Sequence, residues 1–196
     1  VTDEVGRRER KKRERRRCIE DAAIDLFERQ GVDGTTIEDI AKAADIAPRT
    51  FFSYFSTKED VVLADYTARL DRIIDTLEHR PASEAPWTAL QASFVRVAGD
   101  YEERRDELAR RFTIMVAHPP VYARSLQLQA GWEDALTAVL IQRAGPDVDP
   151  LQPRLLASAA LACMRSSLQH WLQTGHHSVL PDLLTSCFEQ MSNGLR

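Results

Sequence analysis

Thr35–Val61 reads TTIEDIAKAADIAPRTFFSYFSTKEDV, and the reading of this stretch decides the fold. Thr35 and Thr36 are hydroxyl residues that can cap a helix, and Ile37, Ile40, Ala41 and Ala44 follow at helical spacing. That run is barely three turns long. Asp45 tolerates a left-handed backbone and breaks it, and Pro48, preset for a first helical turn, opens another helix that turns Phe51 and Phe55 inward. The four residues Ala44, Asp45, Ile46 and Ala47 then separate two short helices, which is the pattern of a helix-turn-helix whose second helix can enter a major groove. Small Ala41 allows a close crossing and Ile46 plugs the turn. Arg49 faces outward with a side chain that can pair with guanine edges, and Thr36, Thr50, Ser53, Tyr54 and Lys58 are of the kind that bind phosphate oxygens. Thr35 and Pro48 complete the candidate DNA-binding set. Taken alone, the same spacing also fits a helical hairpin with solvated polar residues.

Upstream, Ile19, Ala22, Ala23, Leu26 and Phe27 form one apolar stripe stopped by Gly31, so three short helices are expected within residues 10 to 56. Downstream, a connecting helix is expected from about Thr57 to just before Pro81, carrying Val61, Val62, Tyr66, Leu70, Ile73, Ile74 and Leu77. Further stripes follow from Trp87 to Tyr101 and from Leu108 to Met115, the latter stopped by His118, Pro119 and Pro120. Three more helices are expected over 121–143, about 152–174 and about 180–193. No strand alternation and no repeat is found, so the fold class is all-α. The expected division is 1–56, a basic arm plus the helix-turn-helix, and 57–196, a helical domain.

The chain has 196 residues, 43% hydrophobic and 29% charged, with a formal net charge of −4. That average hides a polarity. Residues 1–17 hold nine Arg/Lys against four Asp/Glu, whereas residues 59–196 hold 13 against 18, so a polyanion partner must meet the head. The run Arg7 to Arg17 is a candidate DNA-contacting arm, or else a solvated, partly helical tail. Three cysteines without paired spacing support neither a disulfide framework nor zinc, and no apolar run reaches membrane-spanning length. A cytoplasmic protein with no membrane contact is expected. His170, His176 and His177 lack partners at ligand spacing, and no phosphate loop or nucleophile elbow occurs. The expectation is therefore no metal, no cofactor and no enzyme activity.

From Thr35 to Val61 the chain resembles the DNA-binding segment of the TetR family of bacterial transcriptional regulators. Thr36 opening the second helix, Ile40-Ala41 in its middle, the closing Phe55 and Lys58 at the start of the fourth helix carry the resemblance. Asp45 stands where the family usually has Gly, Ala47 where a capping Ser is common, and Phe52 where a phosphate-contacting Tyr is common; Tyr54 can supply that hydroxyl. The resemblance implies an effector pocket between the middle helices of the C-terminal domain. Aromatic and thioether residues at helical spacing there are usually core, and those offered as pocket lining are Phe94, Ala98, Tyr101, Phe112, Met115, Tyr122, Met164 and Trp171. The helical tail is also similar to actinobacterial members linked to mycofactocin and acyl-CoA regulation, which suggests an apolar or acyl-CoA-like effector.

The last two helices carry more apolar surface than one neighbour can cover. In the final one Leu180, Leu183, Leu184, Cys187, Phe188 and Met191 form a stripe, and pairing both helices with their copies would give a four-helix bundle. The reading is a homodimeric, TetR-like repressor, released from a palindromic double-stranded DNA operator by a small molecule. A constitutive DNA binder without ligand is the nearest alternative, and a helical small-molecule binder or enzyme with a structural N-terminus is a third.

Overall fold

Helical periodicity carries through to the backbone. In a computed structural model of the chain, residues 2–145, 147–175 and 177–194 are described, with side chains from Gly6 onward. Helix α1 spans Thr2–Gln30, α2 Ile37–Ala43 and α3 Pro48–Phe51. Helices α4 (Glu59–Val62), α5 (Tyr66–Glu78), α6 (Pro86–Glu103) and α7 (Arg105–Ala117) follow, then α8 (Pro119–Ala144), α9 (Leu151–Gln173) and α10 (Leu180–Ser192). The basic head is not a separate tail: it continues α1 toward the N-terminus as one 29-residue helix.

The chain folds as two compact units. One runs through Ala64 and takes in Arg110–Ala123; the other holds Asp65–Ala109 and the residues from Arg124 onward. The expected boundary after residue 56 thus falls inside the first unit, which also recruits a later segment that sequence periodicity alone does not assign to it.

In the first unit Ile19, Ala23, Ile24 and Phe27 of α1 are buried together with Ile40, Ala41, Phe51, Phe55, Val61 and Val62. Each of the larger side chains contributes roughly 1.5–3 kcal/mol by leaving water. Gly34 is required sterically, because a Cβ there would lie 2.4 Å from the Gln30 carbonyl oxygen. The connector expected from Thr57 to about residue 80 is interrupted at Leu63–Asp65, between α4 and α5. Neither Pro nor Gly marks this break. Two arginines take the carbonyls there instead: Arg111 donates to Val61 O at 2.8 Å and Arg16 to Ala64 O at 3.2 Å.

In the second unit α6 packs on α5, α9 and α10 around Phe94, Tyr101, Trp171 and Phe188. Trp87 packs against Phe188 with ring centroids 4.6 Å apart and planes tilted by 40°, and donates to its carbonyl at 3.3 Å. Buried Arg69 lies over the Tyr66 and Tyr101 rings at 5.3 and 4.9 Å. The final stripe divides in two. Leu180, Leu184 and Phe188 have no exposed surface and belong to the unit's own core, so only Leu183, Cys187 and Met191 remain half-exposed for another surface.

Candidate nucleic-acid interface

The turn between α2 and α3 is built by local chemistry. Thr36 caps α2: its hydroxyl accepts from the Asp39 amide at 3.1 Å while the Asp39 carboxylate accepts from the Thr36 amide at 3.0 Å. The Thr36 hydroxyl and amide beside it hold the Asp39 carboxyl below its ordinary value. At the other end the Ile46 amide donates to Ala41 O at 2.9 Å and the Asp45 amide to Lys42 O at 3.3 Å. This Schellman closure places Asp45 at φ +51°, the left-handed turn expected of it. Pro48 occupies the first turn of α3.

Lys58 fastens the start of the pair. Its ammonium donates to Val32 O at 2.7 Å and to Thr35 O at 2.8 Å, tying the residues before α4 to the loop after α1. Two of its three N–H groups are therefore spent inside the unit. Thr57 and Asp60 exchange a second reciprocal pair of bonds, at 3.1 and 3.2 Å, around the start of α4.

The candidate residues separate by exposure. Thr36, Pro48, Arg49 and Ser53 are exposed, Thr50, Tyr54 and Lys58 are half-buried, and Phe51 and Phe55 are turned inward. Thr35 is the exception: it is completely buried and its hydroxyl donates to Gly31 O at 2.7 Å, so its side chain serves the loop and is not offered to DNA. Phe52, which the residue pattern did not select, is 57% exposed at the C-cap of α3.

A cleft of about 1080 Å³ opens beside this surface, lined by Ser53 and Tyr54 and by Arg8, Lys11, Lys12 and Arg15 of α1. Sequence reasoning left those four in an undifferentiated basic run. Carrying the period of the Ile19 stripe backward would have found them, because residues 15, 12, 11 and 8 precede Ile19 by 4, 7, 8 and 11 positions.

The candidate effector residues do not assemble in one unit. Phe94, Ala98, Tyr101, Met164 and Trp171 are buried in the second, whereas Phe112, Met115 and Tyr122 lie in the segment that joins the first. Desolvation pushes the buried Tyr101 hydroxyl above its ordinary value. An apolar cleft of about 410 Å³ in the second unit is lined by Trp87, Leu155, Leu156, Ala159 and Met191, none of which was among the candidates. No helix among the described residues is long and apolar enough to cross a membrane.

Residues 19–64 match the family model for bacterial regulatory proteins of the tetR family, and residues 84–196 match the model described as the MftR C-terminal domain. The HTH-type transcriptional regulator TcmR of Streptomyces glaucescens is 31% identical, over 97% of this chain and 87% of that protein. MftR of Mycobacterium tuberculosis, named for the regulation of mycofactocin biosynthesis, is 27% identical over 90% of this chain and 89% of that one. Among solved structures, one from Syntrophomonas wolfei described as a TetR-family regulator superposes with a TM-score of 0.69 at 19% identity, covering 94% and 98% of the two chains. FadR from Thermus thermophilus, a repressor in complex with lauroyl-CoA, gives 0.57 at 23% identity, over 92% and 95%.

Proposed function

This chain belongs to the TetR family of bacterial transcriptional regulators, and from that premise we propose that it is a cytoplasmic repressor and not an enzyme. Two copies hold a palindromic operator, and a small molecule bound in the C-terminal part releases it. One observation carries the DNA reading: α2 is capped by Thr36 and closed at Asp45, Pro48 opens α3 and Phe51 holds it inward, while Arg49 and Ser53 are exposed and Thr50 and Tyr54 half-exposed. A rigid helix with outward polar side chains is what base and backbone reading requires.

One recognition helix reads too few base pairs, so two are needed, about 34–36 Å apart or modestly wider. The surface we assign to pairing lies on α9 and α10: exposed Leu155 and half-exposed Ala159 and Ala162 with half-exposed Leu183, Cys187 and Met191. The effector we assign is apolar or acyl-CoA-like. The lauroyl-CoA held by the Thermus thermophilus neighbour and the match to the MftR C-terminal domain support that class.

The test is selection of binding sites from a random duplex library, followed by titration of the selected complex with long-chain acyl-CoAs. The reading expects a palindrome bound by a dimer and dissociation on titration. A selected site that no acyl-CoA or fatty acid disturbs would favour a constitutive binder, and failure to enrich any sequence would defeat the DNA reading.

A further inference from the structure

Helix α1 changes character along one face. Where it packs on the rest of the first unit that face is Ile19, Ala23 and Leu26; where it extends beyond, the same face becomes Arg15, Lys12, Lys11 and Arg8. The four cations are exposed, and among the described residues none of them has a carboxylate within ion-pair distance. Their flanking neighbours differ: Arg10 pairs with Glu14 at 3.7 Å, Arg16 with Glu20 at 3.0 Å and Arg17 with Asp21 at 4.0 Å. Moreover, Arg8 and Lys12, and Lys11 and Arg15, are like charges one turn apart, an arrangement that costs the free helix and that an external polyanion relieves.

The same cleft is lined by Ser53 and Tyr54, from the turn that follows α3. Glu9, Glu14 and Asp45 also line it, so the cleft is a graded surface and not a uniformly basic one. Hydroxyl residues together with cations that have no ion-pair partner among the described residues match a sugar-phosphate strand, whose charges repeat every ~3.4 Å along the duplex axis. The ~10 Å of helix between Arg8 and Arg15 spans about three such charges.

Resting on the DNA reading above, we propose that the Arg8–Lys11–Lys12–Arg15 face of α1 is a second DNA-binding element. It clamps the phosphate backbone against Ser53 and Tyr54 and adds affinity without adding sequence preference.

The experiment uses the full chain and a duplex selected by it, with anisotropy titrations over a range of salt concentrations for wild type and for Arg8→Gln/Lys11→Gln/Lys12→Gln/Arg15→Gln. Each engaged cation contributes ~0.9 to the slope of log affinity against log salt, so the variant's slope should fall by up to ~3.6 per protomer. Its discrimination between the selected and an unrelated duplex should stay unchanged. The reverse variant, Glu9→Gln/Glu14→Gln, should bind both duplexes more tightly. Cys18 lines the same cleft and gives an internal footprint: bound duplex should slow its alkylation, read by peptide mass mapping. If the quadruple variant selects and binds the site with wild-type slope, the clamp is overturned while the helix-turn-helix reading stands. A fall in discrimination would overturn the claim that this face is indifferent to sequence, and a wild type that enriches no site fails at the underlying reading.

Discussion

Nη2 of Arg111 lies 2.8 Å from Oε2 of Glu20, with the two side chains only 3% and 8% exposed. Glu20 is held on its other oxygen by Arg16 at 3.0 Å, and Arg111 also donates to the Val61 carbonyl at 2.8 Å. One guanidinium thus joins α7 to both α1 and the end of α4 within the N-terminal unit. Removing it strands a buried carboxylate, and breaking such a pair typically costs ~3–5 kcal/mol. Because Arg16 stays, Arg111→Met should destabilise by about 3 kcal/mol in urea unfolding, and Glu20→Gln in that background should recover part of the loss. Equal stability of wild type and single variant would show that the pair does not hold the unit together.

Arg49 and Lys58 should fail differently. Arg49→Ala should relax preference at one base pair of each half-site at a cost of ~1–3 kcal/mol, with the melting temperature unchanged. Lys58→Ala should weaken binding to every duplex and also lower the melting temperature, because the carbonyls of Val32 and Thr35 lose their donor. Footprinting and thermal melts on both variants separate the roles.

Much of the helix-turn-helix was legible because its determinants are local: the Thr36 cap, the left-handed Asp45 and Pro48 act on neighbours a few residues away. The break in the connector was not, since Leu63, Ala64 and Asp65 carry no breaker of their own and the carbonyls at the end of α4 are claimed by Arg16 and Arg111 from 48 and 50 residues away. Similarly, Thr35 and Thr36 are indistinguishable by type. Only the fold turns one hydroxyl to Gly31 and leaves the other at the helix start. The aromatic stripes of the body gave the helices and their buried faces, but periodicity cannot say that Phe112 and Met115 pack with the first unit.

Thr36→Ala should cost about 1 kcal/mol through loss of the cap. The partner carboxyl of Asp39 is held below its ordinary value, so its contribution is present above the unfolded-state value and is lost as pH falls through the folded one. The difference between wild type and Thr36→Ala should therefore hold at neutral pH and shrink below about pH 4. A difference that persists in strong acid would remove the carboxylate from the capping account.

A charge at Leu184, which has no exposed surface, should unfold the C-terminal unit and so says nothing of assembly. Leu155 is 59% exposed, and Leu155→Glu should keep the melting transition while shifting sedimentation from dimer to monomer at micromolar concentration. An unchanged dimer would move the pairing surface away from α9 and α10.

An acyl-CoA effector at a hundredfold its Kd should stabilise the protein by ~2.7 kcal/mol, and coupling of ordinary size should weaken operator binding ~5- to 150-fold. Ligand titration is a cleaner test than reshaping a pocket wall, since Ala98 is fully buried and Phe112 packs in the core of the N-terminal unit. A ligand that stabilises the protein yet leaves the operator complex intact would sever binding from release.

Asp45 sits at φ +51°, a conformation that disfavours every side chain relative to glycine, and it also lines the cleft that the cations of α1 line. Glycine at this position would relieve the backbone and remove the repulsion felt by an approaching phosphate in a single step. On the clamp proposed above, Asp45→Gly should therefore raise the melting temperature and the affinity for a selected duplex together, which one thermal melt and one titration check.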